Sequence, residues 1–297
     1  MVDKQKENKT AVIVDSSNYI LPEDIFENNI YVIDDPIIFG KTVKYESDFI
    51  SEDDFFKQLN NAPKPPVTSQ PAPAKILEIF QKVKKDGYDS AIAVTLSSGI
   101  SGTFQTVKNL AEEFKDLDIL VWDSQIATIG SGNQALYAAG LLKKGLDKIE
   151  VIKKLEELRS STGVYIAVDS IKHLQRTGRL SGGQALLAGM LSIKPILGFE
   201  NGKIVAISKA RQMNGVWQYI EKNFSQLLVS TQKPIHLDII DANNSELSDK
   251  WAAMAHEKWP EVTITRGKIG PFIAVHTGEK SIGFIWSYDY KKLLGDN

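Results

Sequence analysis

The strongest constraint on the fold is the alternation of strand and helix signals through the first half of the chain. Short apolar runs at Ala11–Val14, Ile30–Phe39, Ala91–Leu96 and Ile119–Trp122 have the length and character of buried strands. Between them, helical spacing predicts helices over Ser51–Asn60, Ala74–Lys85, Gly102–Phe114 and Asn133–Lys144. Ile76, Ile79, Phe80 and Val83 recur at intervals of three and four, and Gly87 stands where a glycine ends a helix. Asp147 followed by Glu150 has the form of a capping box opening a helix through Arg159. Strands that take turns with helices favour a mostly parallel sheet, because parallel neighbours need a crossover long enough to hold a helix.

The second half reads differently. An apolar run at Val164–Val168 leads into a glycine-rich segment, Thr177 to Gly189. Two further runs, Pro195–Phe199 and Ile204–Ile207, flank Asn201-Gly202, a hairpin signal because both turn residues must tolerate positive φ. Later strands are expected at His236–Ile240, Val262–Thr265, Phe272–Val275 and Ile282–Trp286, with helices near Val216–Leu228 and Glu246–Lys258. This half is expected to be α+β with antiparallel pairing. The division expected is a flexible tail over residues 1–10, an α/β domain over 11–163 and an α+β domain over 164–297.

Charge and cysteine content remove several function classes. With 35 basic and 37 acidic residues the net charge is −2, so no basic field attracts nucleic acid. The absence of cysteine excludes disulfides and thiolate chemistry and fits a reducing cytoplasm. No run approaches the length of about 18 apolar residues that spans a membrane.

Chemistry concentrates in two hydroxyl-rich segments, Thr68-Ser69-Gln70-Pro71 and Ser97-Ser98-Gly99-Ile100-Ser101-Gly102-Thr103. The second joins a strand to a helix, so backbone N–H groups and serine hydroxyls gather at the positive end of a helix dipole, an arrangement suited to a small anion. Read alone, Ser101 stands at an N-cap position, with ligand binding as the alternative. His276 closes the Phe272–Val275 run, and Arg176 and Arg179 bracket Thr177-Gly178 in a loop. Guanidinium groups suit carboxylates and phosphates and keep their charge. No G-x-S-x-G elbow occurs, and Gly198 to Lys203 is one residue short of a phosphate-binding loop. The four histidines are dispersed without a metal-ligand spacing. No metal or cofactor is expected.

Four motifs in order, Thr68-Ser-Gln-Pro71, Leu96-Ser-Ser-Gly-Ile-Ser-Gly-Thr103, Arg176-Thr-Gly-Arg-Leu-Ser-Gly182 and His276-Thr-Gly278, resemble those of the DegV family of bacterial fatty-acid-binding proteins. The resemblance runs from about Val12 to about Trp286. It implies a two-domain DegV-like fold and an apolar tunnel holding a long-chain fatty acid. It also implies Thr68, Ser101, His276 and Arg179 around the carboxylate, with Arg211 and Arg176 toward an acyl phosphate or a kinase contact. Several members are substrate-binding subunits of fatty acid kinase, so the implied partner is an ATP-binding kinase subunit, with transient contact to a membrane surface. The implied role is ligand-binding subunit rather than enzyme. Where the family carries Asp-Ser-Thr/Ser-x-Asp-Leu, this chain reads Asp15-Ser16-Ser17-Asn18-Tyr19-Ile20. Two rival readings stand beside this one: a hydrolase or transferase using Ser101 with His276 as base, and a lipid sensor without a kinase.

Overall fold

The computed structural model describes residues 9–182 and 193–295. Most of the expected tail over residues 1–10 and part of the Thr177–Gly189 segment lie outside the described residues.

Strands β1 (Thr10–Asp15), β2 (Ile30–Ile33), β6 (Ser90–Thr95) and β7 (Asp118–Asp123) form a parallel sheet in the order β2-β1-β6-β7. Alternate residues of β1 serve opposite faces. Ala11 and Ile13 pack with Ile76, Phe80 and Val83 of α3 (Pro73–Lys85) and Val107 of α4 (Thr103–Glu113). Val12 and Val14 pack with Ala135, Leu136 and Ala139 of α5 (Ile129–Lys143) and with Val151 and Leu155 of α6 (Lys148–Ser161). The capping box at Asp147 forms as expected: its carboxylate accepts from the Ile149 and Glu150 amides, and Glu150 accepts from the Asp147 amide. The order in which successive strands are added reverses between β1 and β6, although all four run parallel. The carboxyl ends of these strands diverge there into a crevice, the usual ligand position of open α/β sheets.

Seven strands make the second sheet: β8 (Gly163–Ala167), β9 (Leu180–Gly182), β10 (Lys194–Glu200), β11 (Lys203–Ala210), β12 (Ile235–Asp241), β13 (Thr263–Lys268) and β14 (Ile282–Tyr288), ordered β13-β12-β14-β8-β10-β11-β9. Pairing is antiparallel along the centre and parallel at both edges. The Asn201-Gly202 hairpin is present, with φ of 49° and 76°. Its tip docks on the loop after β6: Ser97 Oγ donates to the Gly202 carbonyl at 2.7 Å, and a Cβ on Gly202 would lie 2.5 Å from Ser97 Oγ. One face of this sheet carries Leu237, Ile239, Phe284 and Trp286 against α8 (Met213–Ser230) and α9 (Ser245–Lys258). The C-terminal helix α11 (Tyr290–Leu294) returns to the parallel sheet, burying Tyr290 and Leu294 beside α5.

The structure corrects several local expectations. Ile30–Phe39 is two strands, because Asp34-Asp35-Pro36 breaks it. Its second part, β3 (Ile37–Phe39), joins β4 (Thr42–Lys44) and β5 (Val67–Thr68) in a small antiparallel sheet over α2 (Glu52–Asn61). Proline at 36 turns the preceding residue from one sheet toward the other. Phe272–Val275 is not a strand but the body of helix α10 (Pro271–Thr277). A four-residue apolar run cannot distinguish strand from buried helix; Pro271 at the first helical position and Gly278 just past the end carry the signal. Arg176 lies on helix α7 (Lys172–Thr177) rather than in a loop. Ser101 precedes the N-cap position, which Gly102 holds.

Candidate functional site

Between the carboxyl ends of the parallel strands and the second face of the seven-stranded sheet lies a cavity of about 220 Å³. Its wall is built from alternate residues of neighbouring strands: Val164 and Ile166 of β8, Ile285 of β14 and Ile240 of β12. Phe199 and Ile204 from the β10–β11 hairpin and Phe272 and Ile273 from α10 complete it. All of these except Ile204 belong to a core cluster drawn from both halves of the chain, which also includes Ile37, Phe55 and Leu96. The cavity is therefore an unfilled part of a shared core.

Thr68, Ser101, Arg179 and His276, brought from β5, the β6–α4 loop, the α7–β9 link and α10, supply polar lining. Thr68 Oγ1 and His276 Nε2 are 2.8 Å apart. The pair holds one hydroxyl proton and, on a neutral imidazole, one ring proton. Their mutual hydrogen bond uses one of these, so either tautomer leaves a donor over. His276 is 8% exposed, and its Nδ1 has no partner among the described residues. Burial pushes its pKa down to about 3, with the nearby charges of Arg179 and Arg176 and the neighbouring His173 adding to the effect. The ring is thus neutral near pH 7.

Ser101 Oγ lies 2.9 Å from Thr103 Oγ1 and accepts from the Thr103 amide at 3.2 Å. It makes no hydrogen bond with His276, so the nucleophile–base contact a Ser–His hydrolase needs is not formed here. Arg179 Nε donates to the Ile100 carbonyl at 3.2 Å and Nη1 donates to the Thr177 carbonyl. Among the described residues it forms no ion pair, leaving a positive charge on an apolar enclosure.

Arg176 and Arg211 do not line the cavity. Arg176 is exposed one step outside it, its Nη2 3.4 Å from His173 Nδ1. Arg211 is exposed beyond the end of β11, seven residues from the lining residue Ile204, a separation of roughly 23 Å along an extended strand. Gln70, within the Thr68–Pro71 motif, also reaches the cavity beside Gly102, whereas Thr128 carried no motif signal. Thr128 lines it with φ 59° and ψ −152°, a backbone region that residues other than glycine occupy at a cost of about 1–3 kcal/mol.

A family model described as "Uncharacterised protein, DegV family" matches residues 9–289, and the chain belongs to that family. It is 35% identical over 281 residues to a DegV domain-containing protein of Listeria monocytogenes, covering 94% of this chain and 98% of the relative. It is 32% identical over 283 residues to protein DegV of Bacillus subtilis, covering 94% and 99%. Among solved structures, that of DegV, a fatty acid binding protein from Bacillus subtilis, matches with a TM-score of 0.84 and 31% identity over 94% of this chain and 99% of that one. A fatty acid binding DegV family protein of Streptococcus agalactiae matches with a TM-score of 0.84 and 28% identity over 95% and 99%.

Proposed function

We propose that this protein binds a long-chain fatty acid, with the carboxylate among Thr68, Ser101, His276 and Arg179 and the acyl chain along Leu96, Val164, Ile166, Ile240 and Ile285. The observation that carries this reading is the unused donor of the part-buried Thr68–His276 pair, beside an arginine with no ion pair among the described residues, in a cavity otherwise lined mostly by aliphatic groups. A carboxylate would satisfy that donor and neutralise that charge. Each buried methylene contributes about 0.8 kcal/mol, so the tail supplies most of the affinity and the head group fixes direction. The fatty acid binding of the Bacillus subtilis and Streptococcus agalactiae proteins supports the ligand class.

In the fuller form of this reading, the chain is a cytoplasmic subunit that presents the bound carboxylate to an ATP-binding kinase subunit and then holds the acyl phosphate. Arg176, whose charge already reaches His276, is the better placed of the two outer arginines to meet the phosphate. Arg211, remote from the cavity, fits a docking role. The test is denaturing extraction of purified protein with mass spectrometry, which should return stoichiometric fatty acid. A chain that returns none and takes up none when it is added does not have this function. Acyl phosphate formed only when an ATP-binding kinase subunit is added supports the fuller form, and ATP turnover by this chain alone overturns it.

A further inference from the structure

Helix α10, which carries His276, is anchored at its other end by a part-buried clamp. Glu46 Oε1 accepts from the Phe272 amide at 3.0 Å and from the Tyr19 hydroxyl at 2.9 Å. The Tyr19 oxygen in turn accepts from the Ile273 amide at 3.2 Å. Tyr19 adopts φ 50°, a left-handed conformation costly for a bulky residue. Its ring lies so close to Gly270 that a Cβ there would come within 2.2 Å of it. Phe272 and Ile273 line the cavity, and His276 follows Phe272 by four residues, about one helical turn.

We propose that Glu46 and Tyr19 are positioning residues for the head-group end of the cavity, a latch that holds α10 in the register that seats His276 against Thr68. This rests on the fatty-acid reading for its ligand but on geometry alone for the latch. Burial in the closed clamp disfavours the ionised carboxylate more than its two hydrogen bonds favour it, so the latch loosens as Glu46 loses its proton. Burial raises the Glu46 pKa to about 7, with the Asp34 and Asp15 charges pushing the same way and the Phe272 and Tyr19 hydrogen bonds opposing. The groups facing the clamp are Asp15 at the end of β1, Asp34 and Asp35 after β2, and Tyr19. Glu52 of α2 and Lys268 of β13 line the adjoining crevice and pair with each other. His276 stays neutral throughout the relevant range.

Binding of cis-parinaric acid, followed by its fluorescence from pH 6 to 8, tests the idea together with amide hydrogen exchange on the ligand-free chain. The wild type should bind about fivefold more tightly at pH 6 than at pH 8, because the ionised carboxylate favours leaving the desolvated clamp. Glu46→Gln should bind at the wild type's pH 6 level across the whole range. Tyr19→Phe, the milder change, should speed exchange at Ile273 and weaken binding at every pH. A Glu46→Gln profile that follows the wild type, or unchanged Ile273 protection in Tyr19→Phe, overturns the latch. Absence of parinarate binding by the wild type counts against the fatty-acid reading, and the exchange data then decide the latch separately.

Discussion

The two faces of the seven-stranded sheet both bury apolar side chains and do opposite things. On one, Trp217, Phe224, Trp251, Trp259, Phe284 and Trp286 interlock, with centroids 4.8 Å apart for Phe224–Trp259 and 5.0 Å for Phe224–Phe284. On the other, Val164, Ile166, Ile240 and Ile285 leave about 220 Å³ unfilled. Large rings from two helices close one layer, whereas compact β-branched side chains facing a loop-built crevice cannot close the other. Hydrophobicity places both sets inside; side-chain size and the distance to the opposing layer decide which becomes solid core and which a site. His276 lines that cavity, and Glu46 lines the crevice beside it.

The hardest test of this contrast is the aromatic face. Phe284→Ala should lower stability by about 3–5 kcal/mol in urea unfolding, the usual cost of deleting a fully buried ring, while ligand affinity at saturating stability stays unchanged. Loss of binding in a still-folded variant would mean that the two faces are coupled rather than separate.

Next in size is the pH response, which should come from the cavity side. Glu46 has its pKa raised from 4.5 to about 7, so its protonated form favours folding, and that stability is lost as pH rises from 4.5 through 7. The change amounts to roughly 3 kcal/mol. His276 has its pKa lowered from 6.5 to about 3, so its stability is present above 6.5 and is lost as pH falls toward 3. Between pH 4.5 and 6.5 the two slopes oppose each other. Glu46→Gln should remove one slope and make the chain steadily less stable as pH falls through that window. Unfolding curves at several pH values, compared with the wild type, check this.

The head-group contacts come third. Thr68→Ala with Ser101→Ala should weaken fatty-acid binding by about 1.5–3 kcal/mol per hydrogen bond lost to the carboxylate, measured by titration calorimetry. Unchanged affinity in the double variant would move the carboxylate elsewhere in the cavity.

Smallest in stability, though not in function, is filling the cavity. Val164→Phe should shift the unfolding free energy by no more than about 1 kcal/mol, because the new ring enters space that is already empty. It should nevertheless abolish lipid uptake. A cost as large as that on the aromatic face would show that the two layers are packed alike.

The sequence by itself determined the alternating α/β half, the Asp147 capping box, the Asn201-Gly202 hairpin and the hydroxyl-rich loops, since each is written in contiguous residues whose local chemistry admits few conformations. Motif resemblance added the set Thr68, Ser101, Arg179 and His276, which lie up to 208 positions apart between Thr68 and His276. Tertiary structure alone decided that Ile30–Phe39 divides between two sheets and that Phe272–Val275 is helical. It alone brought Tyr19 and Glu46 to the end of that helix, and it alone left one sheet face hollow. Short apolar runs carry the same burial free energy in a strand as in a helix, so only the layers packed against them select between the two. A cavity is a shortfall of volume between distant segments, a quantity no local stretch of sequence contains.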